Sequence, residues 1–233
     1  MNGLGSRQRR ALHGILVLAA VALLAVTVTQ PWGVSVVPLE LAPDALRFRQ
    51  ILLDDWAAGI DATQVTGFPR LRAHLLADSL LLVPAYVALL VFLTLHYGPS
   101  PQRHPMGRQW LCVPAVVAGL FDIAENSMTG RALDELMRTS LTDATVADIT
   151  FASQLKWTTL GIALLIVAWR CRSSVRSVRS VRHNTAALLC VLGGLAMPVG
   201  AWFTLIPALH VGGACMLAGL GLLAWIVLRE PLS

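Results

Sequence analysis

The stretch FDIAENSMTG places Asp122, Glu125 and Asn126 directly after the apolar run WLCVPAVVAGL. Spacings of three and four residues bring these side chains to one face of a helix. Two carboxyl groups beside an amide can bind a polar group and move protons, which is the chemistry of a general acid or base. We therefore predict Asp122 and Glu125 as catalytic residues and Asn126 as a substrate-binding residue.

Lys156 is the only lysine of the chain, which has 17 arginines, and it lies in another apolar run. An ammonium group is a compact charge that can lose its proton, whereas a guanidinium group stays charged. We predict that Lys156 neutralises Asp122 or Glu125 and belongs to the catalytic set. At least one acid then has no cation, unless it is protonated or shares a proton.

Other polar side chains stand near the ends of further apolar runs. His74 and Asp78 are four residues apart and share a helix face, and Tyr86 follows in the same run. Gln154 lies near the start of the fourth run and His210 near the start of the last. We predict Asp78, Tyr86, Gln154 and His210 as substrate-binding residues.

A metal site is the weaker interpretation of this layer. His74, Asp78, Asp122, Glu125 and His210 are suitable ligand types, but their spacing is not diagnostic apart from one i, i+4 pair. We predict neither a metal nor a cofactor. The sequence also has no H-E-x-x-H motif, no reactive CxxC and no serine–histidine–acid pattern.

The elements that position these residues are membrane helices. Of the 233 residues, 56% are hydrophobic and 13% are charged, against about a quarter charged in soluble domains. Six apolar segments are each close to the roughly 20 residues that cross a bilayer. They predict an all-α, polytopic transmembrane helix bundle in one membrane domain, with spans at about 13–29, 75–96, 110–127, 151–169, 186–205 and 208–228.

Two of these segments allow alternatives. The first could be a secretory signal, but Val-Thr-Val-Thr stands where a small-x-small cleavage site belongs, so we favour an uncleaved anchor. The last two are separated only by Ile206 and Pro207 and form either a tight hairpin or one broken, re-entrant element. Met197 to Gly200, with Pro198, is the one hint of a broken helix.

Arginines predict the topology. With the N-terminus inside, the inner segments carry almost only positive charge, whereas the outer loops mix six arginines with many acids. This pattern predicts a bacterial cytoplasmic membrane protein with both termini cytoplasmic. The inner arginines are Arg7, Arg9, Arg10, Arg103, Arg108, Arg170, Arg172, Arg176, Arg179, Arg182 and Arg229. Because the arginines are concentrated in the inner segments and do not form a binding face, we predict no nucleic-acid partner. We predict membrane lipids as partners.

The outer loop after the first span predicts an amphipathic helix at about 43–58. Pro43 and Asp44 form a favourable helix start, and Ala45, Phe48, Leu52 and Trp56 recur at helical spacing. We expect it to lie along the outer interface with Trp56 as its anchor.

Once the topology is assigned, the ionisable residues of four helices fall in one layer near the outer side. Asp122 lies about 8 Å below the outer boundary, at 1.5 Å of rise per residue. Intramembrane ionisable residues commonly mark functional sites, so we predict an outward-facing polar pocket. A buried network that only fixes helix register is the alternative. Glu40, just beyond the first span, either reaches this layer or lies in water.

Three functions fit such a pocket. The first is an enzyme or binding protein for a lipid or hydrophobic small molecule, and the second is a proton- or cation-coupled transporter. The third is a non-catalytic subunit of a membrane complex or homo-oligomer, for which Gly212, Gly213, Gly219 and Gly221 would allow close helix packing.

Several short elements resemble those of a group of bacterial multi-pass membrane proteins. They are LELA at Leu39 to Ala42, Asp78 with Tyr86 eight residues later, D-x-x-E-N at Asp122 to Asn126, and Lys156 with the following tryptophan. The resemblance covers about residues 38–160. It implies a multi-pass membrane protein in which these elements form one site, and it implies no particular activity.

Overall fold

The described part of the protein is an all-α bundle. A computed structural model describes residues 5–30, 35–56, 68–97, 109–138, 141–174 and 181–229, and these contain no strand. The helices are α1 (Ser6–Thr29), α2 (Val37–Glu40), α3 (Ala45–Ile51), α4 (Pro69–His96), α5 (Val113–Met137), α6 (Asp143–Ser174), α7 (Val181–Trp202) and α8 (Ile206–Arg229). This confirms the predicted fold class.

Five of the described helices are long and apolar enough to cross a membrane, namely α1, α4, α6, α7 and α8. They contain four of the six predicted spans in full, and α7 contains the predicted span 186–205 except its last three residues. The predicted third span lies in α5 from residue 113 onward, and the 25 residues of α5 reach about 37 Å. Asp122, Glu125 and Asn126 make the middle of α5 too polar for the same criterion, so its crossing stays a prediction.

The last two predicted spans form a tight hairpin of two full helices. α7 has 22 residues and α8 has 24, and a short turn joins them in which Thr204 has a φ of 54°. The suggested break near Pro198 is wrong, because α7 runs through this proline without interruption.

Neighbouring helices approach closely where glycines meet. A Cβ added to Gly161 of α6 would lie 2.6 Å from the carbonyl oxygen of Gly194 in α7. Gly212 and Gly219 of α8 likewise leave no room for a side chain against α7, whereas Gly213 and Gly221 have open space around them. Two of the four predicted packing glycines therefore bring helices together. This close packing helps to build the main hydrophobic core, to which α1, α4, α5, α6, α7 and α8 contribute.

A second hydrophobic core lies where α5 ends and α6 begins. α5 continues ten residues beyond the third predicted span, and α6 begins eight residues before the fourth. α3 and the π-helical turn that follows it, Leu52–Trp56, cover this extension. We call this assembly the outer cap, after the predicted topology. Its core includes Phe48, Leu52, Trp56, Ala132, Leu133, Val146 and Ile149.

The predicted amphipathic helix is therefore present, but its apolar face packs on protein. Asp44 caps α3, because its side chain accepts a hydrogen bond from the Arg47 backbone N–H at 2.7 Å. Trp56 is 4% exposed and packs edge-on against His74. The expectation that Trp56 anchors the helix to a membrane surface is wrong, because α5 and α6 supply a protein surface there. Residues 57 and 58 lie outside the described residues.

α4 contains a π-helical turn at Asp78–Leu82. Positions spaced by four drift about 40° per step around an α-helix. A π turn takes more residues per turn and so offsets this drift. As a result, His74, Asp78, Leu82 and Tyr86 all face the same cavity.

Candidate functional site

A cavity of about 260 Å³ lies between the main core and the outer cap. Its wall is formed by α1, α2, α4, α5, α6 and α8. The polar residues of the lining are Glu40, His74, Asp78, Tyr86, Asp122, Asn126 and Lys156. The apolar residues include Leu23, Val26, Leu82, Trp157, Leu160, Met216 and Leu217. This mixed lining is typical of a site for a small amphiphilic molecule.

Lys156 lies at the centre of the polar lining residues. Its Nζ lies 2.7 Å from Glu125 Oε2, 3.0 Å from Glu40 Oε2 and 3.3 Å from Asp122 Oδ1. The structure thus places Lys156 beside both predicted acids and beside a third. The side chains in these pairs are all at most 9% exposed, so the charges lie in an environment where unpaired charge is costly.

Glu40 is the site residue that sequence reasoning left undecided. The single helical turn α2, with Pro38 in its first turn, directs this carboxyl group inward. Glu40 Oε2 also accepts a hydrogen bond from the Ser153 hydroxyl group at 3.2 Å. The signal available in the sequence was the apolar character of the neighbours Leu39, Leu41 and Ala42. All three are buried in the structure, which places the segment inside the protein.

Asp122 and Asp78 face the cavity and have different partners. Tyr86 donates its hydroxyl hydrogen to Asp122 Oδ2 at 2.9 Å. Asn126 Nδ2 donates to Asp78 Oδ2 at 2.7 Å and is 3.1 Å from Ser79 Oγ. The predicted residues Asp78, Tyr86, Asp122 and Asn126 therefore form two neighbouring hydrogen-bonded pairs in the cavity lining.

Glu125 is the one predicted catalytic residue that does not line the cavity. It is fully buried, and its contact with Lys156 is the shortest of the three ion pairs. Glu125 is therefore connected to the cavity wall through Lys156, and its catalytic role stays a prediction.

Two predicted binding residues do not line the cavity. Gln154 precedes Lys156 by two positions, so it points to a different side of α6. His210 is exposed, and its Nε2 lies 3.4 Å from the Ser35 hydroxyl oxygen. His210 lies about one helical turn before Gly213, and Gly213 is the first α8 residue of the cavity wall.

His74 lines the cavity next to the outer cap, where it contacts Trp56. It is 4% exposed, and its Nδ1 lies 3.3 Å from the carbonyl oxygen of Val26 and 3.4 Å from Thr29 Oγ1. These contacts tie α4 to the end of α1. In the described part of the chain, no group of three His, Cys, Asp or Glu side chains is placed to hold a metal ion.

The arrangement can bind a polar group and exchange protons with it. Asp78 and Asp122 present carboxyl groups to the cavity, and Lys156 and Tyr86 fix the position of Asp122. Comparison with known proteins adds no further assignment. No protein-family model, no curated protein and no solved structure matches this chain.

Proposed function

We propose that this integral membrane protein binds a lipid or another hydrophobic small molecule in the cavity and acts on it by acid–base chemistry. The observation that carries the proposal is the mixed lining of one cavity. The lining combines carboxyl, amide and phenol groups with leucine, valine and methionine side chains from α1, α4 and α8. A molecule with a polar end and an apolar end can contact both kinds of side chain.

Asp122 is the proposed general acid or base. It lines the cavity, is 6% exposed, and is oriented by Tyr86 on one oxygen and Lys156 on the other. Asp78, held by Asn126, binds the polar end of the ligand beside it. Positioning a carboxyl group by two partners is a general device for acid–base catalysis.

The proposed location is the bacterial cytoplasmic membrane with both termini inside. Basic side chains support this topology: Arg182 at the start of α7 and Arg229 at the end of α8 both stack on Trp225, with guanidinium-to-ring distances of 4.9 and 5.5 Å. These two helix ends are therefore on one side. Arginine and tryptophan together are typical of the membrane–water boundary, and the cavity lies toward the opposite end of the helices.

Coupled transport is the second candidate, and one observation favours it. The polar cluster holds four carboxyl groups, Glu40, Asp78, Asp122 and Glu125, with the single ammonium group of Lys156. Such an excess of acids suits a site that takes up protons or cations. However, transporter sites are commonly built on broken helices, and α4, which carries Asp78 and Tyr86, stays helical through its π turn.

Native mass spectrometry in a mild detergent tests the proposal. We expect the wild type to retain a small molecule that the variant Leu82→Trp loses, because the larger ring fills the cavity from α4. Leu80→Trp is the matched control, since Leu80 is 63% exposed two residues away. Equal retention by wild type and Leu82→Trp, or an empty wild type, contradicts the proposal.

A further inference from the structure

The positive charge of Lys156 is already neutralised by protein carboxylates. An ammonium group has three N–H donors, and three carboxylates surround the Lys156 Nζ within 3.3 Å. A phosphate or carboxylate on a ligand would have to displace one of these buried acids. Lys156 is the only lysine or arginine in the described cavity wall, and its charge is already neutralised by protein.

The cavity instead offers acceptors. Glu40, Asp78 and Asp122 all present carboxyl groups to it. Asp122 is the sharpest case, because it is 6% exposed and shares the single ammonium group of Lys156 with Glu40 and Glu125. Buried carboxylates with too few cations are costly, so a ligand that brings a positively charged N–H group to this point would be stabilised.

The apolar lining residues indicate where the rest of the ligand lies. Leu23 of α1 and Leu217 of α8 both line the cavity, and they are 41% and 53% exposed. The cavity therefore reaches exposed apolar side chains between α1 and α8. A volume of about 260 Å³ is below the range of roughly 300–1,000 Å³ typical of drug-sized ligands, which suits one slim chain.

From these observations we infer that the ligand is a single-chain amphiphile with a protonated amine at its polar end, which reaches the cavity from the membrane between α1 and α8. This inference rests on the proposed binding function and specifies its ligand class. The ammonium group meets Asp78 and Asp122, and the chain leaves past Leu23 and Leu217. Anionic amphiphiles are rejected because they would face carboxyl groups without a free cation.

The test uses three molecules that differ only at the polar end. Dodecylamine, dodecanol and dodecyl phosphate are titrated into the full chain in phosphatidylcholine nanodiscs, with empty nanodiscs as the background. Binding is measured by native mass spectrometry. We expect dodecylamine to bind at least about tenfold more tightly than dodecanol, as one hydrogen bond to a charged group provides, and dodecyl phosphate to bind more weakly than either.

The variant Asp78→Asn keeps the size of the side chain and removes its charge. We expect it to weaken dodecylamine binding about tenfold and to weaken dodecanol binding much less, because the alcohol carries no charge. Asp54→Asn removes an exposed charge from the outer cap and should change neither. If Asp78→Asn does not fold, the comparison of the three molecules on the wild type still decides.

The outcomes separate the two proposals. If the wild type binds dodecanol or dodecyl phosphate as tightly as dodecylamine, the amine inference is overturned and the binding function stands. If a folded Asp78→Asn binds dodecylamine as the wild type does, the inference is overturned as well. If the wild type binds none of the three molecules, the binding function fails for single-chain amphiphiles, and the inference fails with it.

Discussion

Replacing Lys156 by methionine removes the ammonium group that three buried carboxylates share. The methionine side chain is similar in length and can fill the same space between α5 and α6. Glu40, Asp122 and Glu125 would then face one another without a cation, and each of these side chains is at most 9% exposed. The perturbation is therefore electrostatic and leaves packing nearly unchanged.

The expected loss follows from burial. Removing one partner of a buried ion pair costs about 3–5 kcal/mol, because the remaining charge is left uncompensated. Lys156 serves three carboxylates rather than one, so we expect a loss of free energy of unfolding of at least about 3 kcal/mol. Protonation of the orphaned acids limits the loss, and the effect should therefore not triple.

The free energy of unfolding can be measured in detergent micelles by denaturant titration, followed by far-UV circular dichroism. Arg172→Met is the matched control, because Arg172 is an exposed cation on the same helix, and its change should stay within about 0.5 kcal/mol. The double variant Lys156→Met, Glu125→Gln removes one orphaned acid and should regain about 1 kcal/mol or more of the loss. A Lys156→Met protein as stable as the control would refute this account of the cluster.

Two further predictions concern single contacts. Tyr86→Phe removes the 2.9 Å hydrogen bond to Asp122 and should lower the free energy of unfolding by about 1 kcal/mol and reduce any proton-transfer activity; an unchanged stability and rate would exclude a positioning role for the hydroxyl group. Gly161→Ala places a Cβ 2.6 Å from the Gly194 carbonyl oxygen and should cost about 1–3 kcal/mol in the same titration. Gly130→Ala, where a Cβ meets nothing within 4 Å, should be neutral or stabilising, and an equal loss in both variants would contradict this reasoning.

The helices and part of the site could be predicted from the sequence because both depend on local spacing. Apolar runs of about 20 residues specify membrane helices, and spacings of three and four specify one helix face. Asp122, Glu125 and Asn126 share such a face and are all buried. The pairing of Lys156 with Asp122 and Glu125 is present as well. The catalytic role of these residues stays a prediction.

Glu40 could not be assigned, since its contact with Lys156 joins residues 116 positions apart. Nothing in the local pattern of α2 determines which distant charge it meets. The outer cap was missed for a related reason. Its helical extensions carry mixed polar and apolar residues, so a search for apolar runs ends too early. Leu133, Val146 and Ile149 belong to one hydrophobic core with residues of α3, and the sequence does not show that these distant segments pack together.

One site assignment could have been refined from helix geometry alone. Gln154 stands two residues from Lys156, a spacing at which side chains do not share a face. The opposite case is the π turn at Asp78, because no spacing rule for an α-helix anticipates it. That turn keeps both Asp78 and Tyr86 on the cavity wall.

The single ammonium group of the cluster also has a consequence for biosynthesis. Glu40, Asp78, Asp122 and Glu125 all precede Lys156 in the chain, so a ribosome delivers every acid before the cation that neutralises it. Each unpaired charge at the centre of a helix adds about 2.5–3.5 kcal/mol to the free energy of inserting that helix into the membrane. α5 carries two such charges, Asp122 and Glu125. We therefore expect α5 to wait at the membrane insertion machinery until α6 has emerged, so that the two helices enter the bilayer as one unit.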